Sequence, residues 1–229
     1  MTTPKTALLL IGSAKPSGES SSEALGAYLL GRLAALGIAT ATHHVARALR
    51  TEARTQELLQ AVDRADLFIL AFPLYVDGLP YLATEALERI AAHRQAQASL
   101  RPAAFLAIAN CGFPEAHHNA TALAICEQFA DVAGFRWAGG LALGAGGVVH
   151  GQPLANAGGL VRNVVAALDQ AAAALAAGEP VPNQAVTDMA QPLMPALAYM
   201  LMGDVGWLVQ ARRNHVLTRL GARPLPQAQ

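Results

Sequence analysis

Short apolar runs recur along the chain, each followed by a stretch whose apolar positions return every three or four residues. Thr6–Ile11 is almost wholly apolar and ends at Gly12, the pattern of a strand buried on both faces. Across Ser20–Leu36 the leucines at 25, 29, 33 and 36 share one helical face, and Gly37 supplies a stop. Ile38–Val45 interleaves polar and apolar residues, as an outer strand does. Thr55–Arg64 reads as a helix, Asp66–Phe72 as a buried strand and Leu82–Ala98 as a helix. Ala103–Ala109 then predicts a strand, Asn119–Ala133 a helix, Phe135–Leu143 a fifth strand and Leu160–Ala177 a long alanine-rich helix.

Five strand–helix units with short connections predict an α/β fold with a doubly wound five-stranded parallel sheet. A nicotinamide-binding Rossmann unit needs G-x-G-x-x-G after its first strand, but Ala14 occupies the place of the second glycine. Ser17 and Gly18 likewise occupy the places where a Walker loop carries its Gly-Lys-[Ser/Thr]. Both nucleotide fingerprints fail, which leaves the flavodoxin-like strand order 2-1-3-4-5. Residues 1–179 form the expected α/β domain. Pro180–Gln229, with Pro192, Pro195 and a final basic helix around Gly206–Leu220, is expected as a helical extension serving as an interface or a lid.

Composition narrows the function classes. The chain of 229 residues is 53% hydrophobic and only 14% charged, with 16 Lys+Arg against 16 Asp+Glu. A neutral chain has no excess of cations to displace counterions from nucleic acid. The apolar stretch Leu193–Val209 is interrupted by Pro195, Gly203, Asp204 and Gly206, short of the roughly 20 apolar residues of a membrane span. Cys111 and Cys126 have no CxxC spacing, and the N-terminal apolar stretch is too short for a signal peptide. A cytoplasmic location is expected.

In a doubly wound sheet, ligands bind outside the carboxyl ends of the strands, and three loops there carry chemistry. Gly12–Ser22 leads into a helix through Lys15 and three consecutive serines. Hydroxyls, free N–H groups and the positive end of a helix dipole suit a phosphate dianion, although any one serine suffices as a cap. Phe72–Pro80 turns the chain at Pro73 and presents Tyr75, whose ring can stack on a flat ligand, with Gly78 permitting close approach; a plain structural turn has the same composition. Asn110–Asn119 offers Asn110 and Gly112 to the edge of a polar heterocycle. Cys111 has no assignable basic partner there and reads as inert. The pairs His43-His44 and His117-His118 lack the i, i+4 spacing of helical metal ligands, so no metal is expected.

These three motifs, Gly12-Ser-x-Lys with Ser20–Ser22, Pro73–Pro80 and Asn110–Glu115, resemble the flavodoxin-like NAD(P)H-dependent FMN reductases and quinone reductases over residues 5 to about 178. The resemblance implies FMN as cofactor, with Ser13, Lys15, Ser20, Ser21 and Ser22 on its phosphate. Pro73, Leu74, Tyr75 and Gly78 would line the isoalloxazine, and Asn110, Cys111, Gly112 and Phe113 would close its other side. Lys15 stands where arginine is frequent in the family, and Ser21 where asparagine is frequent. NADH or NADPH would act as a transient donor, passing hydride through flavin N5 to a small acceptor such as a quinone, a flavin, or a nitro or azo compound. No side chain is required as acid or base. A homodimer is implied, with the apolar tail and Trp207 packed at an interface or over the site. The rival readings are a flavodoxin-type electron carrier, usually strongly acidic, and a non-enzymatic interaction module. Arg47, Arg50 and Arg54 form a basic group that could meet the 2′-phosphate of NADPH.

Overall fold

The strand nearest the N-terminus takes an interior place in the sheet because it is apolar on both sides. The computed structural model describes residues 3–149 and 151–222. In it β1 (Thr6–Ile11) lies between β2 (Ala39–His44) and β3 (Leu67–Pro73), followed by β4 (Ala104–Asn110) and β5 (Arg136–Leu143). All pairings are parallel, and the order is 2-1-3-4-5. The polar strand β2 takes an edge, as its interleaved pattern requires.

Helices cover both faces. Helices α3 (Glu52–Arg64), α4 (Tyr81–Gln95) and α5 (Ala120–Val132) bury Leu58, Ile90 and Cys126 in a core with Phe68, Phe72 and Phe105. Helices α1 (Ser21–Ala35) and α6 (Arg162–Ala176) pack together on the other side, α1 against β1 and β3. Arg94 is 99% buried by its surroundings, with only 1% of its surface exposed. Its guanidinium donates to the carbonyls of Ala133 and Gly134 at 2.7 and 3.2 Å and lies over the Phe135 ring, satisfying acceptors that the end of α5 leaves open.

Several boundaries differ from the sequence reading. Thr51 caps α3, so that helix begins at Glu52 instead of Thr55, and a short helix α2 (Val45–Ala48) intervenes after β2. Helix α7 (Asn183–Ala190) was not expected, and it packs on α6 and β5. Residues 180–193 therefore join the α/β unit, which ends at Leu193; a second compact unit begins at Met194. Within that unit the basic helix expected around Gly206–Leu220 is instead α8 (Ala196–Arg213), continuous through Gly203, Asp204 and Gly206, with a 3-10 turn at Leu217–Arg219. Pro195 precedes its first turn, where proline costs nothing. Trp207 is 73% exposed in the single chain. Among the described residues no helix is long and apolar enough to cross a membrane.

Asp66 fastens the far end of the sheet. Its carboxylate accepts from the Lys5 and Thr6 N–H groups at 2.8 and 2.9 Å, from the Thr6 hydroxyl at 2.9 Å and from Arg101. Burial raises its pKa, but these donors outweigh burial and hold the group below its ordinary value. A depressed folded-state pKa adds stability above the unfolded value and loses it as pH falls through the folded one. Asp66→Asn is therefore expected to cost about 2 kcal/mol at neutral pH. Urea denaturation at a series of pH values should show that deficit shrinking on the acid side of about pH 4.

Candidate functional site

The carboxyl ends of β1, β3, β4 and β5 surround a cleft of about 190 Å³. Its walls are Ser13, Lys15, Ser20, Ser21 and Ser22 from the first loop, Pro73, Leu74 and Tyr75 from the second, and Asn110, Cys111 and Gly112 from the third, with Gly146 and Gly147 added. Two expected residues stand outside these walls. Gly78 closes a tight turn, exchanging both backbone hydrogen bonds with Tyr75 at 3.0 and 3.1 Å. Phe113 is about half exposed and packs on the His118 ring, 4.3 Å away.

The first loop is built around the start of α1. Ser20 is the N-cap, and its side chain accepts from the Glu23 N–H. Ser21 and Ser22 begin the helix, so their N–H groups have no carbonyl four residues back. The expected hydroxyl donors are largely committed elsewhere. The Ser22 hydroxyl donates to Asn110 Oδ1 and the Ser21 hydroxyl to the Gly146 carbonyl, both at 2.7 Å. What remains for an anion is the N–H pair of Ser21 and Ser22, the hydroxyls of Ser13 and Ser20, and the exposed Lys15 ammonium. That donor set at a helix N-terminus fits a phosphate dianion.

The second loop supplies a flat, wet wall. The Leu74 N–H donates to the Asn110 carbonyl at 2.8 Å, tying it to the third loop. Tyr75 is 49% exposed, and Val76 and Asp77 follow with φ of 47° and 60°. A β-branched residue in this region carries strain of about 1–3 kcal/mol, stored at the tip beside Tyr75. A half-exposed phenol ring in the same wall as apolar Pro73 and Leu74 suits the face of a planar heterocycle.

Cys111 is buried in the third loop, its thiol directed at the Phe113 and Glu115 carbonyls at 3.6 and 3.5 Å. Burial pushes its pKa up, which keeps it a thiol near neutral pH. His117 and His118 stack on each other at 4.4 Å, and His118 approaches Glu115 at 3.8 Å. Among the described residues no cluster of His, Cys, Asp or Glu is arranged to hold a metal.

The residues that sequence reasoning missed are Gly146 and Gly147. They follow β5, which was read only as a strand. Gly144, Ala145 and Gly146 lie directly against the third loop: the Ala145 N–H donates to Phe113 O at 2.6 Å and the Gly146 N–H to Cys111 O at 2.8 Å. The one available signal was the run Gly144-Ala-Gly-Gly147 after a strand, a mark of close backbone approach.

A family model described as NADPH-dependent FMN reductase matches residues 6–134, the segment holding all three expected loops. No curated protein matches the chain in sequence. Among solved structures, the Trp repressor binding protein from Bacillus subtilis is 13% identical with a TM-score of 0.51, covering 72% of this chain and 96% of its own. A flavodoxin from Streptococcus pneumonia TIGR4 is 16% identical with a TM-score of 0.51, covering 76% and 99%. A flavone reductase is 12% identical with a TM-score of 0.51, covering 71% and 62%. At such identities these likenesses speak for the fold.

Proposed function

The chain belongs to the family of NADPH-dependent FMN reductases, and from that premise we propose that it passes hydride from a nicotinamide donor, by way of FMN held in this cleft, to a small acceptor such as a quinone, a flavin, or a nitro or azo compound. It is an FMN-dependent NAD(P)H oxidoreductase by family. The observation that carries the reading is the meeting, in one cleft, of a phosphate-fitting donor set at the start of α1 with the half-exposed Tyr75 and the Asn110–Gly112 edge.

In this reading the N–H groups of Ser21 and Ser22, the Ser13 and Ser20 hydroxyls and Lys15 hold the FMN phosphate. Pro73, Leu74 and Tyr75 support the ring system, and Gly78 serves by closing the turn that presents Tyr75. Asn110, Cys111 and Gly112 form the opposite edge, with Phe113 at its rim. Bound FMN supplies the two-electron chemistry. The protein's part would be orientation and electrostatics: the N–H groups of Leu74, Tyr75, Gly78 and Cys111 are committed to carbonyls, which leaves that of Gly112 at the cleft edge to meet charge on the ring. No side chain has a proton-transfer role in this reading.

Zero net charge favours this reading over a flavodoxin-type carrier, which steers to basic partners through an acidic surface. Arg47, Arg50 and Arg54, all exposed beyond β2, are the proposed contact for a 2′-phosphate. The proposed setting is cytoplasmic and homodimeric, the exposed apolar residues of α8, among them Leu197, Val205 and Trp207, being the surface a second copy covers.

Titration with FMN, followed by anaerobic NADPH and then NADH, tests the reading. Bound FMN that bleaches promptly, with NADPH at the lower concentration, is the expected result. FMN that binds and ignores both nucleotides would turn the assignment to an electron carrier, and absence of FMN binding would remove it altogether.

A further inference from the structure

The connection from β5 to α6 lies beyond the segment that the family model matches, yet it touches the proposed phosphate loop at two places. The first is the Ser21 hydroxyl bond to Gly146 O at 2.7 Å. There a Cβ on Gly146 would meet Asn110 Nδ2 at 2.8 Å and the Cys111 carbonyl at 3.2 Å. The second is Gly151, where φ is +72°. A Cβ on it would stand 2.7 Å from Gly18 O and 2.8 Å from Glu19 Cα. At Gly151 backbone therefore lies on backbone, with no flexible side chain between.

The Gly18–Glu19 peptide is also gripped from its own helix. Glu23 accepts from the Gly18 N–H at 2.8 Å and from the Ser17 hydroxyl at 2.7 Å, while Glu19 N–H donates to Pro16 O at 3.2 Å in a turn that Gly18 completes with φ +85°. The carboxylate holds the loop on one side and the β5–α6 connection closes it on another.

We propose that the connection through Gly146 and Gly151 is a strap that presets the phosphate loop, making Gly151 a positioning residue for the phosphate end of FMN. The inference rests on the assignment of FMN to this cleft. Its physical content is preorganisation: a loop held in its binding shape before the ligand arrives spends less of the interaction on ordering. Displacing Gly18–Glu19 turns the donors of the first loop away from the phosphate and leaves the ring wall at Tyr75 untouched. The loss should therefore fall on FMN and not on riboflavin, which has no phosphate.

The test is the dissociation constant of FMN and of riboflavin for Gly151→Ala, measured by flavin fluorescence. Charge-assisted hydrogen bonds of this kind contribute enough that FMN should weaken by about tenfold or more, with riboflavin unchanged. Gly158 lies on the same connection with φ +71° and open space around a Cβ, so Gly158→Ala imposes the same backbone strain without the contact and should leave both constants unchanged. If Gly151→Ala does not fold, Ser21→Ala cuts the other tie while leaving the Ser21 N–H in place. It carries the same expectation, and Ser21→Thr restores affinity. Unaltered FMN binding in Gly151→Ala, equal loss of FMN and riboflavin, or equal loss in Gly158→Ala overturns the strap. A wild-type protein that binds no FMN would overturn the assignment of the cleft instead.

Discussion

Gly144→Ala is expected to lower stability by about 3 kcal/mol or more and to strip the protein of FMN. Gly144 is the first residue beyond β5, and a Cβ there would overlap the Pro114 carbonyl oxygen and stand 2.9 Å from the Ala116 N–H nitrogen. These are backbone atoms, so no rotamer change relieves the contact. The third loop must move, and with it go the bonds Ala145 N–H to Phe113 O, Gly146 N–H to Cys111 O and Cys111 N–H to Leu143 O. Those bonds hold Asn110, Cys111 and Gly112 at the cleft edge, so fold and site fail together. Thermal unfolding should show a midpoint lowered by roughly 6–12 °C for a chain of this size, with FMN lost on gel filtration. Gly31→Ala is the contrasting variant. Gly31 lies inside α1 with open space around a Cβ, and alanine there should raise stability by up to about 1 kcal/mol. Equal effects at the two positions would show that packing against the third loop is not what Gly144 provides.

The contrast explains what was legible in the sequence. The two-faced sheet follows from periodicity, because β1, β3 and β4 are apolar on both sides while β2 is not, and the strand order follows from the failure of both nucleotide fingerprints. The three loops follow from topology, since a doubly wound sheet exposes its strand ends in a known place. Contacts between distant backbone segments leave a weaker trace. Gly144 and Gly151 are glycines because of what lies opposite them, 114 and 18–19, and no local pattern names the opposite partner. Ser21 and Ser22 show the same limit from the other side: their type suggests hydroxyl donors for a ligand, but tertiary contacts with Gly146 and Asn110 take those hydrogens first. The start of α8 was misplaced by ten residues because Gly203, Asp204 and Gly206 read as breaks. Intrinsic propensities of that size, about 1 kcal/mol each for glycine, do not interrupt a helix of 18 residues, where propagation is cooperative.

Alkaline pH should reveal the core through Cys126. That thiol is fully buried on α5 in the cluster with Phe105 and Phe129, and burial alone pushes its pKa from 9.0 to about 12. A folded-state pKa above the unfolded one leaves stability unaffected below the unfolded value. Above it the unfolded chain releases a proton that the folded chain keeps, so the unfolded state gains. Stability should then fall by about 1.4 kcal/mol for each pH unit between roughly 9 and 12 from this group alone. Tyr28, raised by burial and by its bond to Asp169, Tyr81, raised by its bond to Glu85, and Cys111, raised by burial, act in the same direction. All three are shared with Cys126→Ala, so comparing the two proteins isolates Cys126. At pH 7 the alanine variant should be the weaker by about 1 kcal/mol, from lost packing. The urea-denaturation curves of free energy against pH should converge above pH 9 and cross near pH 10, leaving the variant the more stable protein at pH 11. Parallel curves across that range would mean that the thiolate is accommodated in the folded core, and that the packing around α5 is looser than its burial implies.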